Sequence, residues 1–188
     1  IEKFLSGYDE LLAHFDFGNW YFVDSRRVEG PNWKIAYDGY LDFYHLPILH
    51  RDTFGGDTSN KALYYDWGPH QHVKSPQTTE ANLSELKEKD WPTSFLLSGV
   101  WTIFPHVSIA SFGEGENWGV LISQLFPGDS PGESYTIQNY LLQKAPTKEE
   151  KEAAHAQFDF LKFVVEQEDY ATGLKQQTSL RTGARDHV

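Results

Sequence analysis

The spacing of apolar residues predicts helices near both ends of the chain. Between residues 2 and 15 the apolar positions recur every three or four residues, the spacing of a helix with one buried face. Residues 148–165 repeat this pattern, and Pro146-Thr147 stands at the start, where proline is tolerated. Residues 79–89 predict a shorter helix, with Thr79 as its N-cap.

Between the predicted helices, β-branched and aromatic residues gather in short stretches that predict strands. These stretches cover residues 20–28, 62–73, 96–112, 118–126 and 135–142. Glycine and proline separate several of them, which is typical of turns. A run of strands flanked by helices predicts an α+β fold with an antiparallel sheet.

The length and composition suit one globular domain. A chain of 188 residues can bury a substantial core. Six Trp, ten Tyr and thirteen Phe can supply that core and can also line an apolar pocket, although they specify no ligand.

The charge and hydropathy of the chain exclude two classes of partner. The net charge of −11 and the pI near 5.1 oppose binding to nucleic-acid phosphates, which requires a basic surface. No apolar run approaches the ~20 residues that span a bilayer, and no signal-peptide pattern opens the sequence. We therefore expect a cytoplasmic protein that binds neither nucleic acid nor membrane.

Residues 32–50, NWKIAYDGYLDFYHLPILH, place two histidines and two acids around a proline. His45 and His50 are five residues apart, which on an unbroken helix turns them about 140° from each other, at roughly 100° per residue. Pro47 ends or kinks the helix nearby, so both rings can face one metal ion. Asp42 lies three residues before His45 and can accept a hydrogen bond from its ring. The alternative interpretation is two half-buried polar residues at a helix end.

A second group of possible metal ligands lies near the C-terminus. Residues 160–180 form an apolar-periodic stretch with three acids in its middle, Glu166, Glu168 and Asp169. By itself such a cluster indicates a solvated helix face. Each of the three acids could join the two histidines as a carboxylate ligand, and the residues alone leave that choice open.

The histidine segment resembles the iron-binding segment of Rieske-type aromatic-ring-hydroxylating oxygenase α subunits, within their catalytic domain. The positions of the family pattern all fall at the expected spacing: Asn32-Trp33-Lys34, Asp38, Asp42, Tyr44-His45 and His50. The resemblance implies that His45 and His50 are ligands of a 2-His-1-carboxylate Fe(II) site, the facial triad of non-haem iron oxygenases. It also implies Asp169 as the carboxylate ligand.

The same resemblance implies roles for two further acids and a fold. Asp42 matches the acid that links the iron site to an incoming electron carrier. Asp38 stands where many members carry Asn and is a further candidate for a catalytic role near the metal. The implied fold is the helix-grip fold (Bet v 1-like, or SRPBCC), a curved antiparallel sheet wrapped around a long C-terminal helix.

The resemblance implies an enzyme that activates O2 at Fe(II) and hydroxylates an apolar, aromatic substrate as a mono- or dioxygenase. Electrons would pass from NAD(P)H through a reductase to a Rieske [2Fe–2S] cluster, carried by a Rieske domain or a ferredoxin on a neighbouring subunit of a homotrimer. The chain has no cysteine and therefore cannot hold that cluster. Because it also lacks Met and begins at Ile1, we expect residues 1–188 to be the catalytic domain alone.

Two other functions stay open at this point. The chain could be a non-catalytic helix-grip module that binds an apolar ligand and keeps the motif as structure, and metal content separates this module from an oxygenase. It could also be a subunit that serves only assembly, which the intact set of two histidines and an aspartate disfavours.

Three further histidines are candidates for a site. His70 and His72 alternate along a predicted strand, which puts both rings on one face, where they can chelate a metal. The acid and the distant histidine that such a site needs are not clearly supplied, so pocket lining or surface exposure is favoured. His106 follows a proline in a β-rich stretch, and we expect a hydrogen-bonded pocket histidine or a substrate contact there.

Overall fold

The computed structural model describes residues 1–74, 85–90, 98–114 and 117–183. In these residues seven strands form a single antiparallel sheet. The strands are β1 (Tyr21–Gly30), β2 (Leu63–Trp67), β3 (His70–Lys74), β4 (Gly99–Ile103), β5 (Val107–Glu114), β6 (Asn117–Pro127) and β7 (Ser134–Leu142). Their order across the sheet is β1-β7-β6-β5-β4-β3-β2, so only β1 and β7 are paired without being consecutive in the chain.

Six α-helices accompany the sheet in the described part of the chain. They are α1 (Glu2–Leu5), α2 (Tyr8–Leu12), α3 (Trp33–Leu41), α4 (Leu46–Leu49), α5 (Lys148–Val164) and α6 (Ala171–Arg181). A π-helical segment, Val165–Tyr170, joins α5 to α6. Short 3-10 turns lie at Ala13–Phe15, Phe17–Asn19, Gly55–Asp57 and Glu88–Asp90. None of these helices combines the length with the apolar composition that a membrane span requires.

The predicted fold class is confirmed, because an antiparallel sheet against a long C-terminal helix is the α+β helix-grip arrangement. Thr147 begins that helix with a reciprocal capping box. Its hydroxyl accepts a hydrogen bond from the Glu150 N–H at 3.3 Å, and the Glu150 carboxylate accepts one from the Thr147 N–H at 2.7 Å. The predicted helix over 148–165 and the periodic stretch 160–180 are one continuous element.

The prediction of a single N-terminal helix over residues 2–15 is wrong. Ser6 and Gly7 have positive φ angles, 54° and 85°, a left-handed conformation that ends a right-handed helix. α1 therefore stops at Leu5, and α2 begins separately at Tyr8.

Two stretches predicted as single strands are each a pair of strands. In residues 62–73, Gly68 and Pro69 form a two-residue turn between β2 and β3, with a φ of +62° at Gly68. In residues 96–112, a turn at 104–106 separates β4 from β5. Most of the helix predicted over 79–89 lies outside the described residues.

One face of the sheet is covered by the N-terminal segment. Tyr8 and Phe15 pack there against Trp101, Ile109 and Val120, and all five side chains are buried. This cluster closes one side of the sheet and leaves the other side to carry the remaining helices.

The opposite face, here called the helix face, packs against α3 and the C-terminal helix. It carries two apolar clusters. The first contains Val28, Ala36, Tyr37, Leu125, Val165 and Tyr170. The second contains Leu121, Tyr140, Ala154 and Phe158.

Between these two clusters, polar side chains run across the helix face in a single line. The register aligns one residue from each of five adjacent strands, a set that we call the polar row: Thr102, Ser108, Ser123, Gln138 and Arg26. The first four are buried, and the Arg26 side chain is only 13% exposed. A sheet face that only packs against a helix is expected to be apolar, because burying polar groups costs free energy unless they are hydrogen-bonded. Helix packing alone therefore does not explain the polar row.

Gly55 packs against the segment that carries the two candidate ligand histidines. A Cβ atom at this position would collide with the carbonyl oxygen of Leu46 and lie 2.9 Å from the carbonyl group of His50. We expect Gly55→Ala to lower the free energy of unfolding by about 1–3 kcal/mol, the usual cost of overpacking. Urea denaturation of the purified chain measures this loss.

Gly56→Ala is the matched control, because a Cβ there would have its nearest neighbour at 3.7 Å, an ordinary contact. We expect this variant to be as stable as the parent or slightly more stable, since alanine restricts the unfolded chain. Equal stabilities of the two variants would contradict the close packing at Gly55.

Candidate metal centre

The histidine segment folds around a short helix of its own. α3 ends at Leu41, and Asp42 has an extended backbone with φ −114° and ψ 127°. α4 then lies between His45, its N-cap, and His50, its C-cap. Pro47 stands in the first turn of α4, where its missing N–H costs no hydrogen bond. Pro47 therefore helps to begin α4, and the break in the helix that we expected near Pro47 lies before it, between Leu41 and Leu46.

This single helical turn brings the two imidazole rings together. The ring centroids of His45 and His50 are 5.1 Å apart, and the ring planes are inclined by 70°. The two rings therefore converge on one region, as a shared metal ion requires.

Asp42 does not share a helix with His45, so the predicted placement one helical turn apart is wrong. Its carboxylate oxygen Oδ1 accepts a hydrogen bond from the Tyr44 N–H at 2.6 Å, which fixes the turn just ahead of His45. Asp42 is also close enough to the His45 ring to oppose the lowering of its pKa by burial. The contact of Asp42 that the structure shows ahead of His45 is therefore the one from its carboxylate to the Tyr44 main chain.

The π-helical segment presents two adjacent acids to one histidine. The His50 side chain is 2% exposed, and its Nδ1 lies 2.7 Å from Oε2 of Glu168. Its Nε2 lies 3.2 Å from Oδ1 of Asp169. The Thr53 hydroxyl lies 3.0 Å from the same Glu168 oxygen and 3.0 Å from the His50 carbonyl oxygen, so its proton can be donated to either acceptor. π-helical turns are frequent at functional sites, and this one engages both nitrogens of the ring.

His45, His50 and Asp169 form the single group of three possible metal ligands within the residues that the structure describes. Their ligand atoms lie within 4.8 Å of one another, and His45 Nε2 is 3.6 Å from Oδ1 of Asp169. Ligands about 2.1 Å from a metal and roughly 90–109° apart are separated by ~3.0–3.4 Å. The two measured distances to Asp169 are close to this range, so these residues fit one mononuclear metal ion.

The two acids of the site favour a positive charge at His50. Burial lowers the pKa of His50, but its hydrogen bonds to Asp169 and Glu168 and the charges of both acids outweigh this and raise the pKa. Burial also lowers the pKa of His45, and here burial prevails over the opposing effect of Asp169. Two carboxylates around two imidazoles can therefore balance a bound cation.

The sequence left Glu168 as an alternative carboxylate ligand. In the structure it contacts the Nδ1 atom of His50 and lies outside the group of three candidate ligands. If the Nδ1–H of His50 donates to Glu168, the Nε2 lone pair of that ring faces Asp169 and His45. A carboxylate that accepts the second ring N–H of a ligating histidine fixes its tautomer and orientation. In the sequence, the adjacent acids Glu168-Asp169 indicate one metal ligand and one partner of a ligating histidine. Their spacing alone does not show which acid has which role.

The other acids singled out in the sequence lie outside this group. Asp38 lies on α3 with much of its side chain in solvent. The loss of part of its hydration raises the pKa of its carboxyl group. Its predicted catalytic role stays a prediction. Glu166 faces Lys162 at 3.8 Å, one turn away along the helix, as expected for a solvated helix face.

His70 and His72 are buried in the core on the sheet face that the N-terminal segment covers, so the expectation of surface exposure is wrong. The Nδ1 atom of His70 accepts from the Phe104 N–H at 3.1 Å, and its Nε2 donates to the Phe4 carbonyl oxygen at 2.8 Å. His72 stacks on Trp101 with a centroid distance of 3.8 Å, and burial lowers its pKa to about 4. His70 therefore has no free nitrogen for a metal.

His106 lies at the turn between β4 and β5, where it is half-buried. Its ring centroid is 5.5 Å from that of Phe126. This aromatic contact leaves both of its predicted roles, a pocket histidine or a substrate contact, as predictions.

The fold is similar to solved structures of the quaternary ammonium Rieske monooxygenase CntA. The structure of its complex with L-carnitine has a TM-score of 0.71 at 15% identity and covers 96% of this chain and 45% of the CntA chain. The complex with γ-butyrobetaine has a TM-score of 0.68 at 16% identity and covers 98% and 46%. At these identities the likeness concerns the fold, and this chain spans less than half of the CntA chain.

Sequence comparison identifies the family to which the chain belongs. A search of curated protein sequences finds no match. The family model described as the ring hydroxylating alpha subunit, catalytic domain, matches residues 17–188. This match covers most of the chain and confirms the resemblance found in residues 32–50, so the chain belongs to the catalytic-domain family of ring-hydroxylating α subunits.

Proposed function

We propose that this chain is the oxygenase domain of a Rieske-type enzyme, in which His45, His50 and Asp169 hold one Fe(II) ion. The observation that carries the proposal is the convergence of two imidazole nitrogens and one carboxylate oxygen within 4.8 Å. Iron held by such a triad supplies the redox centre for reaction with O2 in non-haem oxygenases. Membership of the family supports the choice of iron over other metals.

Two further side chains prepare the ligands in this proposal. Glu168 accepts the Nδ1 proton of His50 and so keeps its Nε2 available for the metal. The Thr53 hydroxyl lies 3.0 Å from both the Glu168 carboxylate and the His50 carbonyl oxygen, so it holds the carboxylate beside the main chain of that histidine. Asp42 fixes the turn ahead of His45, because its carboxylate accepts a hydrogen bond from the Tyr44 N–H.

The substrate that we propose has an apolar, aromatic body, which mono- or dioxygenation hydroxylates. Tyr170 directly follows Asp169 and belongs to the buried apolar cluster with Val28 and Leu125, so apolar side chains lie next to the candidate metal ligands. Binding sites for small organic molecules are lined mainly by such side chains. Family membership supports an aromatic ring, whereas the CntA complexes contain L-carnitine and γ-butyrobetaine.

Hydroxylation with O2 needs two electrons from outside this chain, because a Rieske cluster takes two Cys and two His and the chain has no Cys. We propose that a Rieske domain or a ferredoxin delivers them from an NAD(P)H-dependent reductase, with the cluster on a neighbouring subunit of a homotrimer. Two exposed aromatic side chains near Asp42, Tyr44 and Tyr64, suit a protein partner of this kind. The cytoplasmic location and the assignment of residues 1–188 as one catalytic domain belong to the same proposal.

A first prediction concerns metal content. We expect the chain to bind one Fe(II) per monomer and the double variant His45→Ala, His50→Ala to bind none, because two of the three ligands are lost. Metal analysis of anaerobically purified protein measures both. The double variant His14→Ala, His155→Ala removes two exposed histidines and should keep full iron. Full iron in the first double variant would exclude this site and would favour the non-catalytic helix-grip module.

A second prediction concerns Glu168. Glu168→Gln keeps the size of the side chain but weakens its acceptance of the His50 Nδ1 proton. We expect iron affinity to fall about 10–100-fold, the usual effect of losing the partner of a ligating histidine, as measured by competition with a chelator. Glu166→Gln removes the same charge two residues earlier and should leave the affinity unchanged. Equal effects of the two substitutions would mean that Glu168 acts only through its negative charge and not as the hydrogen-bond partner of His50.

A third prediction concerns the electron path through Asp42. With a Rieske protein, a reductase and NAD(P)H, we expect Asp42→Asn to lose most of its turnover, because the link to the electron carrier is weakened. Hydrogen peroxide delivers oxygen and electrons together, so turnover driven by peroxide should survive in the same variant. Asp52→Asn, an exposed acid beyond His50, should keep both. Equal losses in the two assays, corrected for iron content, would leave Asp42 as a positioning residue only.

A further inference from the structure

Several atoms of the polar row are buried without a hydrogen-bond partner. They are the hydroxyl oxygens of Ser108 and Ser123, the amide nitrogen of Gln138 and both terminal nitrogens of Arg26. Buried polar groups are nearly always paired, and a cluster of unpaired ones requires an explanation. The register places these side chains in one line on adjacent strands, so their unpaired groups are neighbours.

Arg26 provides a positive charge inside this row. Its Nε donates to Oε1 of Gln138 at 2.9 Å, and its guanidinium carbon lies 3.6 Å from the ring centroid of Phe158. The nearest carboxylate, that of the highly exposed Asp159, is 3.9 Å from Nη1, too far for a hydrogen bond. Burial lowers the pKa of Arg26 to about 10, so the guanidinium stays charged at neutral pH. The carboxylates of Glu166 and Asp24 act on it only at longer range.

The polar row adjoins the candidate metal centre through Tyr40. The Tyr40 hydroxyl is buried among the side chains of Ser123, Gln138 and Tyr170, and the charge of Asp169 acts on it. It makes no hydrogen bond of normal geometry with them. A chain of neighbouring polar groups therefore leads from the metal ligand Asp169 through Tyr40 and Gln138 to Arg26.

We infer that the substrate carries a carboxylate group, which binds Arg26 and the polar row while its apolar body packs against the flanking clusters. This inference rests on the proposed function and names the substrate class of the same site. The two terminal nitrogens of a guanidinium match the two oxygens of a carboxylate in a bidentate pair. The Gln138 amide and the Ser123 hydroxyl, on the two strands next to that of Arg26, can donate further hydrogen bonds to the same anion.

Buried apolar side chains flank the row on both sides and match the apolar part of such a substrate. Leu121 and Tyr140 border it on one side, and Val28 and Leu125 border it on the other. The second side continues to Tyr170, next to the metal ligands. The carboxylate end is therefore held at the row, and the apolar end extends toward the site of oxidation.

The experiment compares acids with their neutral amides of equal shape. Isothermal titration calorimetry of the full chain, in the presence of a chelator, measures binding of benzoate, phenylacetate and hydrocinnamate and of the three corresponding amides. We expect at least one acid to bind at least tenfold more tightly than its amide. In Arg26→Gln this preference should disappear. No preference for any acid in the parent chain would overturn the inference.

Arg27→Gln is the matched control, because it removes the same charge from the next residue, whose side chain is exposed and paired with Glu29. We expect it to keep the preference for the acid, and an equal loss in both variants would overturn the inference. Ser123→Ala should weaken binding of the acid several-fold with little effect on the amide. It serves as the second test if Arg26→Gln does not fold.

The chelator separates this inference from the proposed function. In the double variant His45→Ala, His50→Ala, acid binding at the polar row should persist, since neither histidine belongs to the row. Loss of iron binding with an intact preference for the acid would leave the anion site standing on its own. Intact iron binding with no preference for the acid would remove the inference and leave the oxygenase proposal in place.

Discussion

The whole arrangement depends on one buried imidazole held between two acids. His50 faces Glu168 at 2.7 Å through one ring nitrogen and Asp169 at 3.2 Å through the other. Glu168 is 118 residues away in the sequence, so this contact joins the short helix α4 to the C-terminal helix. Because a buried polar ring is tolerated only when its partners are in place, the contact fixes the two helices more narrowly than apolar packing would.

A second connection fixes the start of α3 to the same helix. The Gln177 side chain accepts a hydrogen bond from the Asn32 N–H at 2.6 Å and donates one to the Gly132 carbonyl oxygen at 2.9 Å. Gly173 permits this approach, since a Cβ atom there would lie 2.9 Å from Pro31. The histidine segment is thus held between two attachments to one long helix, and the sheet supports both.

The sequence allowed most elements to be predicted, but the joins between them depend on details that periodicity does not record. Strand alternation continues across residues 62–73, although Gly68 and Pro69 turn the chain there. Spacing identified the two histidines, and resemblance singled out Asp169 among three acids. The place of Glu168 beside His50 depends on the π-helical register, because neighbouring residues of a regular helix point in directions roughly 100° apart.

Between Val165 and Tyr170 the hydrogen bonds of the helix span five residues instead of four, so the chain holds an extra residue there. An extra residue advances the angular phase of every later position by roughly 100°. Deleting it would restore a regular helix but would turn α6 as a unit and carry Gln177 away from α3. Glu168 and Asp169, which contact His50, and Gln177, which contacts the start of α3, therefore need one particular rotation of the helix. An insertion or deletion in this segment would break one set of contacts or the other.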